Sequence, residues 1–210
     1  MATEPGEGQL GTTARTELLT VVVTELYGEL YAQGHGPKYA QVVGNRAVAF
    51  SSGGSRELIR AGGLTYDLDW VGARGMPRKA GDRLRISALS TAGFEPTELR
   101  AIGEWVEEAG APSEKMSDPA MAIHDANLFA TTLPIAMVLE DLTAPFTDTN
   151  DLRQWASSFA DNGPGLRFYT EKAKRYQTWI DRQAGLGRAI VDSLDDSEVR
   201  GVAAEGFGQL

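Results

Sequence analysis

The stretch LTYDLDWV at residues 64–71, together with DRLRISAL at residues 82–89, separates an all-helical reading of the chain from a mixed one. In the first, Leu64, Tyr66, Leu68 and Trp70 alternate with Thr65, Asp67 and Asp69; in the second, Leu84, Ile86 and Ala88 alternate with Arg83, Arg85 and Ser87. Period two sends successive side chains to opposite faces of a strand. The sequence between them, GARGMPRKAGD, is rich in turn formers. The pattern therefore predicts an antiparallel hairpin in which Asp67 and Asp69 face Arg83 and Arg85, with the apolar side chains together on the other face.

On either side of this pair the spacing becomes helical. Leu18, Leu19, Val22, Val23, Leu26 and Leu30 recur at three- and four-residue intervals until AQGHGP (32–37) interrupts them, which predicts an amphipathic helix despite the β-branched Val21–Val23 run. In EPTELRAIGEWVEEAGAP (95–112), Pro96 suits a first helical position, Leu99, Ile102, Trp105 and Val106 form one stripe, and Gly110 and Pro112 stop the helix. SDPAMAIHDANLF (117–129) opens with a cap at Ser117 or Asp118 and Pro119 just inside. Further helices are expected around Leu152, Trp155 and Phe159 and from residue 187 onward, and Pro134 is expected to kink its helix. The expected fold is α+β, mostly helical with a β-hairpin region near residues 46–90. Residues 1–15 read as a flexible arm, 16–195 as one domain and 196–210 as a flexible tail, because the ends carry few large apolar side chains.

Composition narrows the chemistry. A chain of 210 residues with 42% hydrophobic content can bury a core. The net charge of −9 means that any nucleic-acid contact must be a local basic strip rather than a basic face. With no cysteine there is no disulfide framework, thiolate site or cysteine nucleophile. The start lacks the pattern of a secretory signal, and the longest largely apolar run, 128–139, is too short to span a bilayer. A soluble chain without a membrane partner is expected.

RAVAFSSGGSRELIRAGG (46–63) looks like strand, Gly-Ser loop and helix, an arrangement able to hold a phosphate. It lacks the Gly-Lys-Ser/Thr ending of a nucleotide loop, so a plain turn is the better reading. His35 and His124 read as satisfied or surface histidines, since two histidines without cysteine make a poor metal set. Asp67, Asp69, Asp195 and Asp196 read as a salted sheet face and a solvated helix end. No Gly-x-Ser-x-Gly turn occurs to expose a nucleophile. No catalytic residue, cofactor or metal site is assigned.

The segment that stands apart is GPGLRFYTEKAKRYQTWIDR (163–182), basic and aromatic in an acidic chain. Treated as helix, it sets Arg167, Lys174, Arg175 and Arg182 near one face and turns Phe168, Ala173, Tyr176 and Trp179 partly toward a core. These four cations are the candidate phosphate contacts.

Two resemblances bear on function. LRAIGEWVEEAGAPSEKM (99–116), followed about fifty residues later by Leu166-Arg167-Phe168-Tyr169 with Ala173, Lys174 and Trp179, resembles coat proteins of flexible filamentous plant viruses over residues 97–180. That resemblance implies a non-enzymatic subunit of a virion or the host cytoplasm that polymerises through terminal arms. It also implies RNA bound through phosphates in a groove lined by the residue matching Arg167. GDRLRISALSTAGFEPTELRAIGEWVEEAGA (81–111) resembles the strand, Ser/Thr loop and helix of sugar isomerase (SIS) domains, which implies Ser87, Ser90 and Thr91 as sugar-phosphate ligands. Those domains continue with parallel strands, whereas helical patterns follow Gly110 here. The packaging subunit is the leading expectation and the sugar-phosphate enzyme the alternative.

Overall fold

The computed structural model describes residues 14–30, 36–68, 79–131, 153, 157 and 166–196. Among them the chain is mostly helical, with no strand. The chain divides into two compact units, Met1–Asn127 and Leu128–Leu210. The principal helices are α1 (Ala14–Leu30), α2 (Pro37–Phe50), α3 (Arg56–Thr65), α4 (Lys79–Thr91), α5 (Pro96–Gly110), α6 (Asp118–Thr131), α7 (Glu171–Lys174) and α8 (Gln177–Asp195).

The expected hairpin is not seen among the described residues. Residues 82–89 lie inside α4, and Leu64 and Thr65 end α3. Trp70 and Asp69 lie outside the described residues. The reason is that a short alternating stretch also satisfies a helical stripe: Arg85, Ala88, Leu89 and Ala92 are spaced i, i+3, i+4 and i+7, and all four are buried. The strand reading fails at the centre of the stretch, because Ile86 is 52% exposed whereas Arg85 is only 4% exposed. Arg85 pairs with Asp82 one turn earlier at 3.2 Å rather than with an aspartate across a ladder, and Arg83 is exposed. Asp67 is buried, not set on a solvated sheet face. At the start of the expected β-rich region, residues 46–50 complete α2, and residues 69–78 lie outside the described residues.

α4 ends in a Schellman turn. Gly93 has φ +85°, its N–H donates to the Ser90 carbonyl at 3.0 Å, and the Phe94 N–H reaches back to the Leu89 carbonyl at 3.1 Å. Phe94 and Leu89 both enter the core, so the turn is closed by a hydrophobic contact. α5 begins as its sequence predicts, with Pro96 at the first position and the Glu95 N–H donating to Glu98 Oε2 at 2.8 Å.

The core of the first unit is laid down by Leu19, Val23 and Tyr27 of α1 against α3, α4 and α5. α2 and α3 pack backbone to backbone. A Cβ added to Gly63 would lie 2.8 Å from Gly44 Cα, and one added to Gly44 would lie 2.9 Å from Leu64 Cγ. Helices this close require residues without side chains at the crossing. A Cβ on Gly62 would meet Ile123 Cδ1 at 2.6 Å, so the Gly-Gly pair of α3 packs against α2 on one side and α6 on the other.

At the amino end Arg15 closes the bundle. Its Nε and Nη2 donate to Glu57 of α3 at 3.0 and 2.5 Å, and its Nη1 donates to Glu98 of α5 at 2.7 Å. The guanidinium also lies 4.6 Å from the centre of the Phe94 ring. Of the expected arm, 1–15, Ala14 and Arg15 form the start of α1, and residues 1–13 lie outside the described residues.

Candidate nucleic-acid interface

The basic segment does not form one helix. Residues 166–169 carry no helix, and Thr170 caps the single turn α7 by accepting a hydrogen bond from the Ala173 N–H at 3.3 Å. Arg175 and Tyr176 then form a turn before α8 starts at Gln177. Gln177 ties the pieces together. Its Oε1 accepts from the Phe168 N–H at 3.1 Å, its Nε2 donates to the Leu166 carbonyl at 2.9 Å, and the same amide reaches Asp181 at 3.3 Å. The helical face expected for positions 167–182 is corrected accordingly: Arg167 precedes the helical residues, Lys174 and Arg175 sit at a break, and Arg182 lies on α8.

The division of inward and outward side chains follows the expectation. Phe168 is 3% exposed and Ala173 is fully buried. Phe129 meets Tyr176 edge-on at 5.0 Å and lies 5.5 Å from Trp179, so these rings form an aromatic cluster among the described residues of the second unit. The candidate cations face solvent: Arg167, Lys174, Arg175 and Arg182 are all exposed. Two of them rest on tyrosine faces, with the Arg167 guanidinium 5.0 Å from the centre of Tyr169 and that of Arg175 4.8 Å from the centre of Tyr176. Lys174 reaches Glu171 one turn earlier.

The Gly-Ser loop is filled by the chain itself. It joins two helices rather than a strand and a helix, and its donors converge on the Asp118 carboxylate. Ser51 Oγ lies 3.0 Å from Oδ2, the N–H groups of Ser52 and Gly53 each lie 3.2 Å from Oδ2, and Ser52 Oγ donates to Oδ1. Gly54, at φ +87°, makes the reversal that lets Ser55 cap α3. Burial opposes ionisation of Asp118, but the Ser52 and Ser51 donors outweigh it and hold the carboxyl below the usual range. The place a phosphate would take is thus filled by an internal anion.

The remaining candidates fall into structural places. His124 Nδ1 lies 3.1 Å from the Ala109 carbonyl, and desolvation holds its pKa below the ordinary value, as befits a satisfied histidine. His35 lies outside the described residues. Asp195 pairs with Arg153, and Asp196 is the exposed C-cap of α8. Ser87, Ser90 and Thr91 are exposed on the last turns of α4, where helix carbonyls end. That end carries partial negative charge and repels a phosphate, and no Ser/Thr loop forms there. No group of three histidine, aspartate or glutamate side chains among the described residues could hold a metal ion. None of the described helices is long and apolar enough to cross a membrane.

One surface has no counterpart among the sequence expectations. α4 and α5 border a groove of about 830 Å³, walled by Ile86 and Leu89 on one side and by Leu99, Gly103 and Val106 on the other. Its polar lining comprises Asp67, Asp82, Glu104 and Glu107 against Arg85 and Arg100. No family model, curated protein or solved structure matches the chain.

Proposed function

We propose that this chain is a non-enzymatic subunit that polymerises and packages nucleic acid, sequence-independently, through Arg167, Lys174, Arg175 and Arg182. The observation that carries the reading is the pair of exposed guanidiniums laid on tyrosine faces, Arg167 on Tyr169 and Arg175 on Tyr176. A guanidinium braced this way gives up less side-chain freedom when it meets a phosphate, and its flat fork suits phosphate oxygens. The bracing rings are anchored in turn, because Phe168 is buried beside Tyr176 and Gln177 clamps the backbone at Leu166 and Phe168. Four cations on an otherwise acidic chain supply charge without a pattern of base-edge donors. Lys174 must exchange Glu171 for phosphate, at small cost, because an exposed pair contributes only about 0 to 1 kcal/mol. In such a subunit the RNA is the partner, the terminal arms link copies, and the place of action is a virion or the host cytoplasm. No observation favours the sugar-phosphate enzyme.

The test is binding of homopolymeric RNA at two salt concentrations by the wild type and by a Lys174→Ala, Arg175→Ala double variant. The wild type should bind different homopolymers alike, and the variant's slope of log affinity against log salt should fall by roughly one unit for each phosphate that is no longer neutralised. Its circular dichroism should be unchanged. No binding by either protein at low salt refutes the proposal.

A further inference from the structure

We infer that Gln177 is a positioning residue of the nucleic-acid interface: it holds Arg167 on Tyr169 so that the guanidinium is presented to a phosphate. This deepens the proposed function and rests on it. Gln177 is the first residue of α8, and its amide turns back to the stretch that carries Arg167. Oε1 accepts from the Phe168 N–H at 3.1 Å, and Nε2 donates to the Leu166 carbonyl at 2.9 Å. Those two backbone groups flank Arg167, so one side chain fixes the chain immediately before and after a single cation. The amide has one satisfactory orientation. Turned over, it would set its NH2 against the Phe168 N–H and its oxygen against the Leu166 carbonyl and against Asp181 Oδ1, which Nε2 now reaches at 3.3 Å.

The four cations do not depend on this clamp alike. Lys174 and Arg175 take their places from α7 and the turn after it, where the Lys174 N–H donates to the Thr170 carbonyl at 3.0 Å and the Tyr176 N–H to the Ala173 carbonyl at 2.8 Å. Arg182 is carried by α8. Arg167 alone of the four stands on residues that carry no helix. There the root of the side chain is fixed by something other than a helical ladder. The neighbouring Phe168, 3% exposed, pins the chain inward, and Gln177 sets the angle at which Arg167 leaves it. The guanidinium then lies 5.0 Å from the centre of the Tyr169 ring, on an exposed residue. A side chain whose root and tip are both placed in advance loses less freedom when it meets a phosphate. Gln177 adds no charge of its own, so its contribution lies wholly in the placing of Arg167.

Gln177→Met provides the test, because it removes the amide's hydrogen bonds while keeping an unbranched side chain of similar length and the same net charge. Two measurements on the full chain read the result, with circular dichroism as the check on folding. In proton spectra recorded without RNA, the Arg167 side chain should be shifted upfield by the Tyr169 ring in the wild type and return toward ordinary arginine values in Gln177→Met. Arg175, which lies over Tyr176, should keep its shift in both. In binding of polyuridylate RNA at two salt concentrations, Gln177→Met should lose as much affinity as Arg167→Ala, and the salt slope of each should fall by roughly one unit. Combining the two should bind no more weakly than Arg167→Ala alone, whereas Gln177→Met combined with Lys174→Ala should show the sum of the single effects. General loosening of the fold would add to both. An Arg167 shift that persists in Gln177→Met, equal binding by Gln177→Met and the wild type, or a double variant weaker than Arg167→Ala would each overturn this inference and leave the packaging reading in place. A wild type that binds no polyuridylate at low salt overturns both.

Discussion

Replacing Gly63 by alanine probes the contact between α2 and α3, and its effect can be separated from helix propensity by a matched control. The new methyl would sit 2.8 Å from Gly44 Cα, 3.0 Å from Gly44 N and 3.0 Å from the Val43 carbonyl oxygen. All three atoms are backbone, so no side chain can swing away. Carbon atoms pack best at about 3.5–4.0 Å, so α2 must withdraw by roughly an ångström along its length. Overfilling a packed core costs about 1–3 kcal/mol, and a rigid obstacle belongs at the upper end. Gly→Ala within a helix returns up to about 1 kcal/mol. Gly103→Ala on α5 receives the same propensity gain while its methyl meets nothing within 4 Å. The difference between the two variants therefore isolates the clash, at about 2–3 kcal/mol. Hydrogen exchange of the α2 and α3 amides reports on this unit alone, and Gly63→Ala should exchange about 30- to 150-fold faster than Gly103→Ala. Equal or slower exchange in Gly63→Ala would show that the two helices do not touch through their backbones.

Two other outcomes follow from features at the loop and the amino end. The Asp118 carboxyl is depressed in the folded chain, so its contribution is present above the unfolded carboxyl pKa of about 4 and disappears as pH falls through the folded value. Asp118→Asn should accordingly lower the urea midpoint near pH 7, with a cost of about 2 kcal/mol, and the gap from wild type should narrow as pH falls below about 4; a gap independent of pH would contradict the charged cradle. A chain started at Ala14 keeps the Arg15 contacts to Glu57 and Glu98, so its helical signal should persist while its assembly fails if the arm links copies; assembly at the full-length level would exclude the arm.

Much of the helical architecture is legible from local signals. α1, α5 and α6 announce themselves through i, i+3, i+4 stripes and, in the latter two, proline near the first turn. α4 resists such a reading because alternation over seven residues fits both periods. The deciding cues lie just beyond, in the adjacent apolar pair Ala88-Leu89 and in Gly93 as a C-terminal stop. In the basic segment the inward rings and outward cations are visible as pattern, whereas the break is not, although Thr170 followed three residues later by Ala173 is a helix start in miniature. Gln177 gives no sequence signal, since its partners are backbone groups at Leu166 and Phe168. The carboxylate in the Gly-Ser loop and the open space at Gly103 depend on pairings between distant parts of the chain, so nothing local encodes them.

The fork of Arg15 has a mechanical consequence. A load applied to the chain ahead of Ala14 enters the fold at the first turn of α1. Without an anchor there, α1 would peel one turn at a time, each turn resisting alone. Arg15 instead rivets that turn to Glu57 on α3 and to Glu98 on α5, so tension is divided among three helices. A tether rooted in this way transmits pull to the whole bundle before it unravels its own root.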